Sequence, residues 1–313
     1  MRLLLCGGLR YNSTIVLSVL PCDPGGLAEK SEDESMESRR RFLRRSALAV
    51  LCLTAGLLCG CGAETEPEPG SAQKLPVIVI GSDNYPPFNY TGADGQPTGV
   101  DAELAMEAFR RMGYRAEFVT IDWEEKKMLL EEGVIDCAWG SFSMNGREDE
   151  YRWAGPYLHS RQVVAVRVGS GIYTLQDLQG KTLAVQSTTK PEELFRNAAQ
   201  NGLPKLRAIY SLRDRDLIYP TLSKGYADAL AAHESAICQF MKDYKVEYRI
   251  LEEPLMTAEL GVAFAKGRTD GLPEQLTETF REMLADGTVR EIASRYLDDP
   301  EHYLEGLEGG ANG

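Results

Sequence analysis

Two segments hold the residues best suited to chemistry. In Trp139-Gly140-Ser141-Phe142-Ser143-Met144-Asn145-Gly146-Arg147, two hydroxyls and a guanidinium follow the apolar run 134–139. In Val185-Gln186-Ser187-Thr188-Thr189-Lys190-Pro191, hydroxyls follow a second apolar run, 182–185, and open a predicted helix. A guanidinium fork binds a carboxylate bidentately. The free N–H groups of a helix start also favour anions. Facing each other across a cleft, the two segments would clamp a small anion such as an α-carboxylate.

The positioning elements follow from the hydrophobic pattern. A strand over 75–80 leads into a loop stiffened by Pro86 and Pro87. Asp94-Gly95 marks a hairpin turn. Asp101 is read as the cap of a helix whose apolar positions Leu104, Ala105, Ala108, Phe109 and Met112 recur at helical spacing, closed by Gly113. A strand over 115–121, a helix over 123–132 and a strand over 134–139 complete a first block. A second block has strands at 182–185, 207–210 and 227–232, with helices at 191–201, 214–224 and 233–243. Strands over 247–251 and 260–265 follow, then helices over 272–284 and 289–296. Strands alternating with helices imply an α/β fold with mostly parallel sheets. Ligands bind at the carboxyl ends of such strands, where Tyr85, Ser141 and Thr189 fall.

The chain has 313 residues, room for two lobes of ordinary size. Its formal charge of −13 and lack of a basic stripe argue against nucleic acid as a partner. Only three histidines occur, none at metal-ligand spacing, so no metal site is expected. Cys137 falls in a predicted strand and Cys238 in a predicted helix, and both are read as buried free thiols.

The start of the chain reads as processing sequence. Five arginines within 39–45 precede an apolar run, 47–58, which suits a signal peptide better than a membrane span. Leu58-Cys59-Gly60-Cys61 resembles a bacterial lipoprotein signal with Cys61 as the lipidated residue. Segment 36–60 is then the signal peptide, and 61–74 an acidic, flexible Pro/Gly/Ser tether. Ser38-Arg39-Arg40-Arg41-Phe42-Leu43-Arg44 also resembles a twin-arginine export signal, though an ordinary basic region is the preferred reading. Residues 1–35 fit neither part. They read as a translated, unstructured leader with the true start at Met36, because codons for Ser31-Glu32-Asp33 can contain a ribosome-binding sequence.

Further motifs occur in order: Tyr85-Pro86-Pro87-Phe88, Gly99-Val100-Asp101, Gly133-Val134-Ile135-Asp136, Arg147, Gly155-Pro156-Tyr157, Asp177-Leu178-Gln179-Gly180-Lys181, Thr188-Thr189, Gly225-Tyr226-Ala227-Asp228 and Asp286-Gly287. From about 75 to 304 the chain resembles solute-binding protein family 3, the type II periplasmic binding proteins that deliver amino acids to ABC importers. The resemblance implies a two-lobed, monomeric, extracytoplasmic receptor with a cleft between lobes and no cofactor. It implies a first lobe of 75–160 plus 258–304, a second lobe of 161–257 and a flexible tail at 305–313. Its partners would be an ABC importer permease and, through the lipid anchor, the membrane. Tyr85 would pack on the ligand with Phe88 behind it, Ser141 and Ser143 would hydrogen-bond it, and Arg147, Thr188 and Thr189 would hold its carboxylate. Trp139 is a further pocket candidate, whereas Trp123 and Trp153 read as packing residues.

One departure bears on the ligand. The family's usual acceptor of the ligand ammonium, an Asp five residues after the motif aspartate Asp228, is here His233, followed by Glu234. A neutral imidazole supplies no negative charge, so the expectation is that Glu234 takes the ammonium or that the ligand lacks one. Competing readings are a cleft enzyme of dehydratase type, with His233 or Glu234 as acid or base, and a ligand-sensing receptor subunit.

Overall fold

The computed structural model describes residues 75–307. The leader, signal peptide, Cys61, the tether and the last six residues of the tail lie outside the described residues. In chain order the elements are β1 (Val77–Ser82), β2 (Tyr90–Thr91), β3 (Pro97–Thr98), α1 (Val100–Arg111), β4 (Arg115–Thr120), α2 (Lys126–Glu131), β5 (Cys137–Ser143) and β6 (Arg152–Arg167). There follow β7 (Thr182–Gln186), α3 (Lys190–Arg196), β8 (Ala208–Leu212), α4 (Ile218–Ser223), β9 (Ala229–His233), α5 (Glu234–Tyr244), β10 (Tyr248–Ile250) and β11 (Met256–Phe264). The last helices are α6 (Leu272–Ala285), α7 (Thr288–Ser294) and α8 (Pro300–Leu304). Short 3-10 turns at Trp123–Glu125 and Arg215–Leu217 lead into α2 and α4.

The main sheet runs β4-β1-β5-β11-β6-β9-β7-β8, with β10 also on β6. Its two ends are parallel: β1 pairs with β4 and β5, and β7 with β8 and β9. Between them β6 and β11 run antiparallel to their neighbours. Each end is covered on both faces, which is why its strands read as continuous apolar runs. On the β1/β5 end, Leu104, Phe109, Trp139, Leu276, Phe280 and Ile292 pack on one face. Trp123, Leu130, Ile135 and Phe142 pack on the other. On the β7/β9 end the corresponding cores hold Val163, Ile218, Leu222 and Leu230 on one face, and Val164, Leu183, Val185 and Phe195 on the other.

Four sequence expectations change. The strand read at 134–139 begins later and continues through Ser143, because Phe142 and Ser143 pair with Gly261 and Leu260 of β11. The sequence reading placed no strand at 152–167, yet β6 spans sixteen residues. Its apolar stretch is short, and His159-Ser160-Arg161-Gln162 interrupts the pattern. Asp101 is not the helix cap; Gly99 holds that position with φ 111°, and Asp101 lies inside the first turn, fully buried. A Cβ at Gly99 would come within 2.4 Å of the Phe88 carbonyl oxygen, so only glycine lets α1 start there. Cys137 is buried but Cys238 is exposed, since α5 turns Ser235, Ala236 and Ile237 inward instead.

Candidate functional site

A polar cavity lies between the two ends of the sheet. Tyr85, Trp123, Ser141, Ser143 and Arg147 line it from the β1/β5 end. Gln186, Thr189, Lys190, Arg215 and His233 line it from the β7/β9 end.

Arg147 is buried at 7% exposure, in the turn that follows β5. Its Nη1 donates to the Ser143 carbonyl at 3.4 Å and its Nη2 to the Thr188 carbonyl at 3.3 Å. Nη2 also pairs with Glu193 at 3.2 Å, which in turn holds Lys190 at 2.6 Å. The Trp153 indole donates to the Arg147 carbonyl at 3.0 Å, fixing the backbone below the fork. A guanidinium tethered this way is pre-organised, so little rotamer freedom remains to be lost on binding.

Ser141 sits at φ 49°, a conformation rare for a non-glycine residue. Asp101 stabilises it: one carboxylate oxygen accepts from Ser141 N at 2.7 Å, and the other from Tyr157 Oη at 2.9 Å. Burial pushes the Asp101 carboxyl up to about 6, while these hydrogen bonds pull it the other way.

Tyr85 is buried, and its hydroxyl accepts from His233 N at 3.1 Å. The Arg215 guanidinium lies over its ring, 3.4 Å from the centroid. Arg215 Nε donates to Asp83 Oδ2 at 3.0 Å, and Gln186 donates to the same oxygen at 2.7 Å. His233 is buried, with Nδ1 2.8 Å from Ser160 Oγ and Nε2 3.1 Å from the Ser141 carbonyl. Burial, then the Arg215 charge, lowers its pKa to about 3, so the ring is neutral. Nε2–H donates to the Ser141 carbonyl, and Nδ1 accepts from Ser160. Gln162 places its Nε2 2.8 Å from that ring N–H and leaves its own Oε1 buried without a partner.

Lys126 stands behind Trp123, its ammonium over the Trp123 and Phe142 rings. It donates to Thr188 Oγ1 at 2.8 Å. Burial, then Arg147, lowers its pKa to about 7.

Of the residues singled out from sequence, Tyr85, Ser141, Ser143, Arg147, Thr189 and His233 meet at this cavity. Phe88 lies one layer behind, edge-on to the His233 ring at 5.5 Å. Thr188, at φ 57°, contacts Arg147 through its carbonyl, while Glu192 accepts its N–H at 2.6 Å. Trp139 faces the core instead, against Phe109, Tyr157 and Phe280, because its face of β5 is the one covered by α1 and α6. Glu234 is not in the cavity either: it forms an ion pair with Arg161 of β6 at 3.0 Å. The reading of Glu234 as the ammonium acceptor therefore loses its geometry. Trp123, read as packing, is both core and cavity wall. Arg215, Gln186 and Lys190 were not singled out. Arg215 could not be, because its partners Asp83 and Tyr85 lie far away in sequence.

Two α/β ends are joined by crossing strands, with a buried guanidinium in the cavity between them, an arrangement chemically suited to a small anion. The comparisons agree: the profile of the bacterial extracellular solute-binding proteins, family 3, matches residues 77–299, and the chain belongs to that family. The chain is 26% identical over 262 residues to the L-cystine-binding protein TcyJ of Escherichia coli strain K12, covering 82% of this chain and 96% of that one. It is 32% identical over 232 residues to the histidine-binding periplasmic protein of Salmonella typhimurium strain LT2, covering 71% and 87%. Among solved structures, the substrate-binding protein of an ABC uptake transporter from Streptococcus pneumoniae with bound histidine superposes with a TM-score of 0.66 at 24% identity, over 71% of this chain and 92% of that one. An ancestral arginine-binding protein bound to arginine gives a TM-score of 0.64 at 24% identity, over 71% and 98%.

Proposed function

We propose that this protein captures an amino acid or a closely related small carboxylate and delivers it to an ABC importer. The observation that carries this reading is Arg147, a buried and tethered guanidinium at the wall of the cavity. Relatives named for binding cystine and histidine support the ligand class. The lobes we propose are 75–160 with 258–304, and 161–257; closure between them would present one shape to the permease. Lipid on Cys61 would hold the protein at the outer face of the cytoplasmic membrane, with 61–74 as the spacer. Cys61→Ser should release it into the soluble fraction or leave it unprocessed; a processed, membrane-bound mutant would point to another anchor.

Binding rather than catalysis is the function we infer. An acid–base role would fall to His233, whose pKa burial and then the Arg215 charge lower to about 3, far from the range in which a general acid or base works best. Isothermal calorimetry tests the central claim. Arg147→Ala should weaken the best carboxylate ligand by about 3–5 kcal/mol, the usual cost of breaking a buried charge pair. Unchanged affinity would remove the carboxylate clamp.

A further inference from the structure

The charged side chains that line the cavity are Arg147, Lys190 and Arg215, and all three are cations. The carboxylates nearest them are already engaged. Glu193 is shared by Arg147 and Lys190. Asp83 accepts from Gln186 and Arg215 through a single oxygen. Lys126 stands one layer behind and adds a further ammonium. His233 contributes no charge where the sequence led us to look for an anion. The site as a whole is positive.

Arg215 is the unusual member. It is 7% exposed, its Nε donates to Asp83, and its guanidinium lies against Tyr85. A guanidinium has five N–H donors, more than the Asp83 contact uses. The Tyr85 ring centroid lies 3.4 Å from its guanidinium carbon, and Arg215 lines the cavity that Arg147 also lines, so the cavity holds a second guanidinium.

We propose that the ligand carries a second acidic group, at the end away from Arg147, and that Arg215 is the residue that selects for it. The proposal rests on Arg147 holding the first carboxylate. The shared chemistry is a small dicarboxylate, with or without an amine. A ligand with a cationic side chain would bring its charge against Arg215, so this chain should reject arginine even though a structural neighbour is bound to it. Asp83 offers the one rival reading. Its Oδ1 is buried without a partner and lies near Gly140, where an added Cβ would meet it at 3.5 Å. If that oxygen took a ligand ammonium, Asp83 rather than Arg215 would set specificity.

Calorimetry on the purified full chain separates these cases. The probes are succinate, glutarate, glutamate and cystine, against their monocarboxylate or cationic counterparts butyrate, glutamine and arginine. At least one dicarboxylate should bind tenfold or more tightly than its counterpart, and arginine should not bind. Arg215→Gln should erase that preference, so that each dicarboxylate binds no more tightly than its counterpart. Arg215→Lys should restore part of it. Asp83→Asn should preserve or strengthen it, and the double variant Asp83→Asn/Arg215→Gln keeps the pair electrically balanced should the single variant fold poorly. Glutamate against glutarate then tells whether an amine is required. Failure of every dicarboxylate to exceed its counterpart, tight binding of arginine, or loss of the ligand with Asp83→Asn alone would each overturn the proposal. If monocarboxylates still bound through Arg147, the broader reading would survive that failure.

Discussion

His233 and Asp101 are buried titratable groups shifted in opposite directions, and together they give the protein a hidden pH response. The His233 pKa is lowered to about 3, so protons favour the unfolded chain. Its stabilising contribution is complete above the ordinary value near 6.5 and is lost as pH falls toward 3. At about 1.4 kcal/mol per unit, this amounts to roughly 2 kcal/mol by pH 5. The Asp101 pKa is raised to about 6, so protons favour the folded chain, and stability rises as pH falls from 6 toward 4. The two trends oppose each other in that window. His233→Gln should therefore leave a protein that gains stability on acidification from pH 6 to 4, and Asp101→Asn one that loses it faster than wild type. Urea denaturation across that range checks both, and parallel curves for all three proteins would refute the assignment. The sequence marked position 233 as a departure from the family, but it could not show that both ring nitrogens are engaged. Arg215 was invisible to sequence reading, because its role depends on a stack against Tyr85 that only the fold creates.

Several contacts join elements of the two ends of the sheet around the cavity. Arg213, after β8, reaches the turn before α2 and pairs with Asp122, with Glu124 at 3.0 Å and with Glu125 at 3.4 Å. Asn84 reaches Asp216 at 3.2 Å. These charges are exposed at the rim, where salt screens them over about 10 Å at 0.1 M. Arg213→Ala should shift the free protein toward an open form and weaken ligand several-fold without altering selectivity. Small-angle scattering at low and high salt provides the measurement; a radius of gyration indifferent to both salt and mutation would mean that the rim contacts do not govern closure. Nothing local in the sequence at 122–125 announces Arg213 as the partner. Most strands and helices of both blocks were legible from periodicity, since their faces are cleanly apolar. β6 was not, because half of it pairs with β11 and half with β9 and β10, and its pattern changes where the partner changes.

At the scale of the molecule, the core of the first proposed lobe is closed by residues from the far end of the chain. Leu272, Leu276, Phe280, Met283, Val289 and Ile292 pack with Ile78, Leu104, Phe109 and Trp139. The two cores of the second lobe draw only on residues 163–255. Cutting the chain after Lys266 should therefore expose the first lobe throughout, while β7, β9 and α4 keep slow amide exchange. Hydrogen-exchange mass spectrometry would show it, and uniform loss of protection would mean that the second lobe depends on the first. The family resemblance gave this discontinuity in outline, and composition alone did not.

The same arrangement sets a clock on biosynthesis. A ribosome that has passed Leu255 has supplied every residue of the cores at 163–255, while the strands it made first still wait for their last helices. Until translation passes Leu304, Trp139 and Phe109 have no finished environment. A chain built in this order completes the cores at 163–255 first, and the core around Trp139 only when synthesis is all but complete.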